Sequence, residues 1–554
     1  MINFNQWLDH LIYATPIKGF GNRMSMFLIS LEAWRRGIDV KFYTIENPEN
    51  KLLIRYSLSY NGKTIDFNSS LSEQLPKETY EICQNKDLTK KYLTAQGIRV
   101  PKGEKITKET SLDYISNLAN KLGYPIVMKP VSANAGKGVF SNIIDEQMLV
   151  ETFNHLTNDL GYDEIIIEEF IKGEEHRLLS VGDKIVGVVK RVPANVVGDG
   201  KHTIKQLIRA KNKAKKTNPV IYKKGITIDI ELKDQVKENG YNLEDVLEDG
   251  KQLFLRTKSN ISAGGDPIEV MDEIDNSVLE MGQAATKAIP GIELGGIDML
   301  IDPETNEKAI IEVNTKPMIG LHVFPEKGKP RDVVKDIIDY YFPETKDITR
   351  SSLYFDFEKI IDSLDGVATK EIKLNRPPLD PYYAKRFLVS SVNNNNDKDL
   401  RAAIRERALA DNSYGCALTI GDNLTEVLLA NPIQSKVDEF FETFAQKTEF
   451  EITIKEEELW EYPVNVGFNT KKQIGGSIKL TPLNSKEEAE ETNKAVIYKK
   501  AFLKIEKQNK QLKEDQQKQQ KIIENKNAEI KKLKAALNRK WYRRIPRFIK
   551  RVVK

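Results

Sequence analysis

The amino-acid sequence predicts an α+β protein built from several domains. Its 554 residues are more than one hydrophobic core supports, which indicates three or four domains. Strand-like and helix-like segments alternate from Lys86 to about Pro343, with glycine-rich turns between them. We therefore predict a small α/β domain, a large α+β domain, a second α/β domain, a long helix and a basic tail, at residues 1–84, 85–345, 350–490, 496–538 and 539–554.

The N-terminal domain is predicted from one helical stretch and two strand-like runs. The helix covers about Met24 to Arg36, and the strands cover Val40–Thr44 and Leu53–Tyr60. The second strand enters an Asn61-Gly62 pair, which favours a tight hairpin turn.

Composition excludes several classes of protein. Cys83 and Cys416 lie far apart, so neither a disulfide framework nor a cysteine metal site is expected. No run of 18 apolar residues and no basic-then-apolar leader occurs, which predicts a cytoplasmic protein without a membrane span. The formal net charge is +4, but the 16 residues from Arg539 carry eight Lys or Arg and no acid, which leaves −4 for the remainder. The basicity is therefore a property of the tail.

A predicted hairpin carries three oxygen-bearing side chains. Its strands are Gly296–Ile301 and Ala309–Asn314, and if the turn centres near Thr305, residues whose numbers sum to 610 face each other. Asp298 then lies opposite Glu312, and Asn314 shares their face. Oxygen donors at the ends of apolar strands suit Mg²⁺ with a nucleotide. A solvated strand end is the alternative, although these residue types are poor strand formers.

A lysine and a glycine-rich loop follow another predicted strand. The apolar run Tyr124–Pro130 contains Lys129 near its end, and residues 132–138 follow directly. The loop backbone can approach polyphosphate while the lysine supplies a point charge. A glycine-rich hairpin loop without a ligand would give the same pattern.

The order of motifs resembles the ATP-grasp superfamily of carboxylate-amine ligases. It is most similar to the ATP-grasp part of cyanophycin synthetases and bifunctional glutathione synthetases, over about Lys86 to Pro343. The motifs that carry the resemblance are residues 85–90, 128–138, 168–177, 191–200, 255–265, 296–298 and 312–314.

The resemblance implies how ATP would be held. Lys90 and Lys129 would contact its phosphates, and Glu175 would accept the ribose hydroxyls. The residues of the flap over the phosphates would be Asn134, Gly136, Lys137 and Gly138. The residues of the hinge, whose backbone reads the adenine edge, would be Glu168, Glu169, Phe170 and Ile171.

The resemblance also implies metal and substrate sites. Asp298, Glu312 and Asn314 would hold two Mg²⁺ ions, with Mn²⁺ as an alternative. Arg256 and Asn260 would face the transferred phosphate and the substrate carboxylate. The further anion-binding candidates, for which a structural role stays open, are Arg191, Arg177, His176 and His202.

The implied function is ATP-dependent amide formation through an acyl phosphate, with amino-acid or peptide substrates. The alternative is a catalytically idle ATP-binding adaptor that recruits partners through its helix and tail. After Asn314 the chain continues Thr315-Lys316-Pro317-Met318, where relatives commonly carry small residues and a Gly. No Gly-x-x-x-x-Gly-Lys-Ser/Thr motif occurs, so a single ATP site is expected.

Residues 383–455 resemble the acylphosphatase fold, a small βαββαβ sandwich. Arg401 takes the position of that family's phosphate-binding arginine, but Val392–Asn396 replaces the glycine-rich cradle and Thr419 replaces the catalytic asparagine. We therefore predict a degenerate, inactive domain that binds or positions another group. Hydrolytic editing of an acyl phosphate is the alternative.

The C-terminal segments predict association with partners. Residues 496–538 carry a heptad pattern with polar residues in the middle of the seam, such as Asn509 and Gln516, which favours a parallel homodimer over a single solvated helix. Residues 539–554 mix basic with aromatic and aliphatic side chains, which favours an anionic membrane surface. Nucleic acid is less favoured because no nucleic-acid-binding fold is recognisable. A solvated tail or a protein partner is the remaining alternative.

Deletion of residues 539–554 tests the membrane prediction. We expect the full chain to co-sediment with anionic liposomes and to be released by salt, because each Lys or Arg near the surface contributes ~1 kcal/mol. The truncated chain should stay in the supernatant. Equal sedimentation of both chains would show that the tail does not bind the membrane.

Overall fold

The computed structural model describes residues 7–132, 138–391, 397–421 and 424–470. The chain divides into two units, residues 1–480 and 481–554, and every described residue belongs to the first. The predicted coiled coil, the basic tail and the flap residues Asn134, Gly136 and Lys137 lie outside the described residues. No helix in the described part is both long enough and apolar enough to cross a lipid bilayer.

The N-terminal unit is a helix packed against an antiparallel sheet. Its elements are α1 (Met24–Arg35), β1 (Asp39–Glu46), β2 (Leu52–Tyr60), β3 (Lys63–Asn68) and β4 (Leu71–Ser72). Asn61 and Gly62 both have positive φ, so the predicted tight turn joins β2 to β3.

The two faces of this sheet differ in polarity. Phe42, Tyr56 and Phe67 are fully buried on one face, which packs on α1. The opposite face carries polar residues, which include Arg55 and Asn68, because side chains alternate along each strand.

A four-stranded antiparallel sheet begins the large central domain. Its strands lie in the order β5-β8-β6-β7 and enclose a core with two helices. The elements in chain order are α2 (Lys77–Gln84), α3 (Lys86–Ala95), β5 (Gly103–Thr107), α4 (Leu112–Leu122), β6 (Ile126–Pro130), β7 (Phe140–Ile143), α5 (Glu146–Asn154) and β8 (Glu164–Glu169).

A five-stranded antiparallel sheet completes the central domain. Its strand order is β13-β10-β9-β14-β15, and an insertion with its own small core lies between β10 and β13. The elements are β9 (Glu174–Val181), β10 (Lys184–Val192), β11 (Asn195–Val197), α6 (Ile204–Lys215), α7 (Ile230–Glu238), β12 (Gln252–Phe254), β13 (Asp266–Glu269), α8 (Asn276–Ala288), β14 (Leu294–Ile301) and β15 (Lys308–Asn314). One face of the sheet packs its apolar residues, such as Leu178 and Met299, in a core shared with α8.

The chain then returns to the N-terminal unit. The elements of this return are α9 (Gly320–Val323), α10 (Val333–Tyr341), β16 (Leu353–Tyr354), α11 (Phe357–Asp365) and β17 (Glu371–Lys373). Strand β17 pairs with β1, so the N-terminal sheet has the order β17-β1-β2-β3-β4. This differs from the prediction of a separate domain from residue 350, because residues from both sides of the central domain build one sheet.

The last described region is a five-stranded sheet with three helices. Its elements are β18 (Tyr383–Ser391), α12 (Asp397–Ala410), β19 (Tyr414–Gly421), β20 (Leu424–Asn431), α13 (Gln434–Asp438), α14 (Phe440–Lys447), β21 (Ile452–Leu459), β22 (Val464–Asn465) and β23 (Phe468–Asn469). Its sheet order is β21-β18-β20-β19-β23. The Arg401 guanidinium donates a hydrogen bond to the carbonyl of Thr470. The relation to acylphosphatases stays a prediction.

A buried charge cluster fastens the insertion to the five-stranded sheet. Lys215 of α6 is fully buried, and its Nζ lies 2.8 Å from Asp266 Oδ1 and donates to the Gly265 carbonyl at 2.9 Å. Lys211, one helical turn earlier, lies 2.5 Å from the other Asp266 oxygen. Burial raises the pKa of Asp266, but the two lysine charges outweigh it and hold the pKa below its usual value. The cluster therefore fixes α6 to β13 and to Gly265, which comes directly before this strand.

Replacement of Lys215 by Met tests this cluster. Removing one partner of a buried ion pair should lower the free energy of unfolding by ~3 kcal/mol, measured by denaturant titration at neutral pH. The difference from the wild type should narrow below about pH 4, because protonation of Asp266 removes the charge that Lys215 balances. Lys213→Met, at an exposed position of the same helix, is the control and should change stability by less than ~0.5 kcal/mol. An equal effect of both substitutions would contradict the assignment.

Candidate active site

The predicted hairpin register is confirmed at the end of the hairpin that carries the polar residues. Asp298 pairs with Glu312 and Gly296 pairs with Asn314, as the sum of 610 requires. A bulge after Asp298 then shifts the pairing, so that Met299 lies opposite Ile310. The two carboxylates and the amide therefore lie on one face of the sheet.

Neighbouring strands add charged residues to this face. Arg177 of β9 pairs in register with Asp298, and Arg191 of β10 pairs with Glu175 of β9. Residues opposite or two apart share a face, so these four side chains lie beside Glu312. We call this group, with Asn314, the charged face: Glu175, Arg177, Arg191, Asp298, Glu312 and Asn314.

Asp298 is bound by two arginines. The Arg177 guanidinium donates through Nε and Nη2 to the two carboxylate oxygens, the second at 2.7 Å. Arg191 Nη1 lies 3.4 Å from Asp298 Oδ1 and also pairs with Glu175. Burial raises the pKa of Asp298, but the two arginine charges outweigh it and hold the pKa below its usual value. Asp298 is therefore ionised throughout the physiological pH range.

Arg191 and Glu312 complete the electrostatics of the charged face. Arg191 is mostly buried, and its Nε has no hydrogen-bond partner in the described residues. Burial lowers the pKa of Arg191, but Asp298 and Glu175 outweigh it and raise the pKa above its ordinary value. Glu312 is partly exposed and lies 3.7 Å from Lys86 Nζ. Glu312 is thus the more accessible of the two carboxylates.

Gly296 leaves room for the Arg177 guanidinium. A Cβ atom at position 296 would lie 2.7 Å from Arg177 Nη1 and 3.1 Å from Pro317 Cβ. The glycine therefore lets the arginine lie across the strand and reach Asp298. Sequence reasoning placed Arg177 only among the further candidates, because its partner lies 121 residues away.

Lys90 and Lys129 converge on one carboxylate. Both ammonium groups contact the Glu168 side chain, and all three side chains are largely buried. Burial raises the pKa of Glu168, but Lys129 and Lys90 outweigh it and hold the pKa below its ordinary value. Burial also lowers the pKa of Lys90 despite the Glu168 charge. Sequence reasoning gave Glu168 only a backbone role, so the structure adds a side-chain function.

The predicted hinge and ribose residues lie next to these groups. Glu169 N–H donates to the Lys102 carbonyl at 2.8 Å, and Phe170 N–H donates to the Pro125 carbonyl at 3.2 Å. Ile171 follows in the same connection to β9, and the described flap residue Gly138 has a φ of +66°. The Glu175 carboxylate accepts a hydrogen bond from the Ser259 hydroxyl as well as from Arg191.

Arg256 and Asn260 have separate local roles: Arg256 pairs with two carboxylates at the start of α7, and Asn260 caps a short turn. The buried Arg256 guanidinium lies 2.5 Å from Asp229 and also pairs with Glu231, both at the start of α7. No hydrogen bond or ion pair joins Arg256 to the charged face in the part of the chain that the structure describes. Asn260 Oδ1 accepts from Ser262 N–H at 2.8 Å and caps a short turn.

The two candidate histidines lie away from the charged face. His176 is buried on the opposite face of β9, its Nδ1 lies 2.9 Å from the Glu174 carbonyl, and burial lowers its pKa. His202 is exposed, with Nδ1 2.6 Å from Asp199. The structure therefore favours structural roles for both.

The donor set of the charged face fits a hard divalent cation. Two carboxylates and an amide oxygen lie on this face, and both Asp298 oxygens accept hydrogen bonds from Arg177. Mg²⁺ commonly takes one or two carboxylates together with phosphate oxygens and water. No group of three His, Cys, Asp or Glu side chains converges as a metal cage within residues 7–132, 138–391, 397–421 and 424–470.

Comparisons with known proteins find similarity over part of this chain. Residues 83–204 match the RimK-like ATP-grasp domain. A cyanophycin synthetase from Geminocystis herdmanii is 31% identical over 300 residues, which are 52% of this chain and 33% of that protein. The glutathione biosynthesis bifunctional protein GshAB from Clostridium perfringens is 34% identical over 338 residues, 58% of this chain and 41% of that protein. This chain thus spans well under half the length of these relatives.

One solved structure gives a similar alignment. The bifunctional glutathione synthetase from Pasteurella multocida is 29% identical, with 55% of this chain and 42% of that chain covered, at a TM-score of 0.41.

Replacement of Glu168 by Gln tests the lysine pair. Two largely buried ammonium groups would lose their shared carboxylate, so the free energy of unfolding should fall by ~3 kcal/mol in denaturant titrations. The loss should narrow below pH ~4, where the unfolded chain takes up a proton, and should disappear only below the lowered pKa of Glu168 in the folded protein. Glu164→Gln, on the same strand and paired with Lys105 at the surface, should change stability by less than ~1 kcal/mol. Equal effects of the two substitutions would show that Glu168 does not stabilise the lysines.

Proposed function

We propose that this chain, which carries a RimK-like ATP-grasp domain, is an ATP-dependent, ADP-forming carboxylate-amine ligase. The observation that supports it most is the charged face, where Asp298 and Glu312 lie in register beside Arg177 and Arg191. Charged groups of this kind suit the transfer of a phosphoryl group from ATP to a carboxylate.

Lys90 and Lys129 would bind the phosphates of ATP. Both ammonium groups lie on one carboxylate, so the cluster with Glu168 holds one positive charge in excess. A phosphate oxygen can therefore share the lysines without leaving Glu168 unpaired. Glu175 would accept the ribose hydroxyls by exchanging its Ser259 contact, and the backbone of 169–171 would read the adenine edge.

Asp298, Glu312 and Asn314 would hold Mg²⁺, as two ions or in exchange for Mn²⁺. The bound ion would neutralise charge on the transferring phosphoryl group. Arg177 keeps the Asp298 carboxylate ionised and in a fixed orientation. The partly exposed Glu312 leaves an accessible oxygen donor on the same face.

The reaction would proceed in two displacements. A carboxylate oxygen of the first substrate attacks the γ-phosphorus, which forms an acyl phosphate and releases ADP. The amine of the second substrate then attacks the acyl carbon, expels inorganic phosphate and loses a proton to leave an amide. Arg191 would stabilise the charged groups because it lies on the charged face with an unpartnered Nε. These residues contribute orientation and charge neutralisation, and no protein nucleophile is needed.

Arg256 and Asn260 would contact the phosphate or the substrate carboxylate once the site is filled. Arg256 would first exchange its partners, because Asp229 and Glu231 hold its guanidinium. Both carboxylates are partly or largely solvent-exposed, so this exchange needs little desolvation.

The substrates would be amino acids or peptides, and the reaction would take place in the cytoplasm. Two copies would associate through residues 496–538, and the tail at 539–554 would attach them to an anionic membrane surface. These proposals rest on the heptad pattern and the local charge of the sequence.

Replacement of Glu312 by Gln tests the ligase proposal. With ATP, Mg²⁺ and an amino-acid mixture, the wild type should release ADP and form amides detectable by mass spectrometry. The variant should lose about 10²-fold or more in kcat, because an oxygen donor to the phosphoryl-transfer site loses its charge. Its stability should change by less than ~0.5 kcal/mol, since Glu312 is partly exposed.

Glu307→Gln, in the exposed turn of the same hairpin, is the matched control and should keep full activity. Full activity of Glu312→Gln would refute the proposed site. A wild type that binds ATP, but releases no ADP with any amino-acid mixture, would instead support the adaptor alternative.

A further inference from the structure

The segment after Asn314 joins the charged face to the N-terminal unit. Pro317 lies against Gly296, where the Arg177 guanidinium crosses β14, and its carbonyl accepts a hydrogen bond from the Ser70 hydroxyl at 2.7 Å. Lys316, one residue earlier, donates from Nζ to Asn68 Oδ1 at 2.8 Å. Two residues of chain span at most ~7 Å, so Lys316 lies within reach of a molecule bound on the charged face.

The Lys316 side chain contacts the polar face of the N-terminal sheet through Asn68. Asn68 and Arg55 both lie on this face. The register pairs Tyr56 with Phe67. This places Arg55 opposite Asn68, the residue that Lys316 contacts. Arg55 is largely buried and pairs with Glu73 at 3.2 Å. The other carboxylate of this region, Asp66, accepts a hydrogen bond from the Tyr43 hydroxyl at 2.7 Å.

Lys316 itself is exposed, and the side chain that its ammonium group contacts is neutral. Its partner Asn68 carries no charge, and no carboxylate of the described chain lies within 4.0 Å of its ammonium group. Asn68 takes one of the three ammonium N–H donors, which leaves two for a ligand. Lys316 and Arg55 thus place two positive charges near the edge of the charged face, and the Lys316 charge has no carboxylate partner among the described residues. Such a pair of cations suits an anionic ligand.

We infer that Lys316 and Arg55 bind a substrate carboxylate other than the one that reacts. This inference rests on the proposed ligase function and adds a substrate class: an amino acid or peptide with a second free carboxylate. The substrate would lie on the polar face of the N-terminal sheet, with its reacting group towards Asp298 and Glu312.

Binding of a dicarboxylate and its monoamide tests the inference without turnover. Ligand-observed NMR would compare glutarate with glutaramate in the presence of Mg²⁺ and a non-hydrolysable ATP analogue. The wild type should bind glutarate about tenfold to a hundredfold more tightly, the value of one hydrogen bond to a charged group.

Two substitutions should abolish this preference by different routes. Lys316→Met removes the charge, and Asn68→Asp places a carboxylate next to Lys316 without changing the size of the side chain. Each should reduce the preference to less than about twofold, whereas Lys213→Met at an exposed site on α6 should keep it. Thermal unfolding monitored by circular dichroism would show that the variants are folded.

Equal binding of the two probes to the wild type, or an unchanged preference in Asn68→Asp, would overturn the inference. Its failure is distinguishable from failure of the ligase proposal, because ADP release is measured separately. A preference that is lost in both variants supports the carboxylate site even if the wild type releases no ADP.

Discussion

The candidate site depends on the antiparallel register of β10, β9, β14 and β15. Successive residues of a strand point to opposite faces, so one register places Arg191, Glu175, Arg177, Asp298 and Glu312 on the same side. A shift of one residue in any strand would move its charged residues into the apolar core that Leu178 and Met299 line. The hydrophobic face thus fixes the position of every charged group on the other.

Charge is distributed in a recurring way among the buried groups. Glu168, Asp298 and Asp266 each contact two cationic side chains. Burial raises the pKa of each carboxyl, but the two cations lower it by more than burial raises it. Each of these carboxylates therefore stays ionised. At Asp266 the cluster fastens α6 to the sheet, whereas Glu168 and Asp298 lie at the candidate site.

The N-terminal unit is part of the central architecture rather than an appendage. Strand β17 pairs with β1, and the Ser70 and Asn68 side chains contact the segment after Asn314. Groups that could bind a substrate therefore come from two regions more than 240 residues apart in the chain. The position of these groups relative to Asp298 and Glu312 is set by packing between the N-terminal sheet and the central domain.

Local features could be predicted from the amino-acid sequence alone: the Asn61-Gly62 turn, the pairing of Asp298 with Glu312, and the order of motifs that resembles ATP-grasp proteins. These follow from turn chemistry and side-chain alternation, which act over a few residues. Four contacts could not be predicted from the sequence. Glu168 binds both lysines, and Arg177 binds Asp298. Arg256 lies on Asp229, and β17 joins the first sheet. Each of these contacts joins segments that strand pairing or packing brings together from distant parts of the chain. Lys90 and Glu168 lie 78 residues apart, and Arg177 and Asp298 lie 121 residues apart.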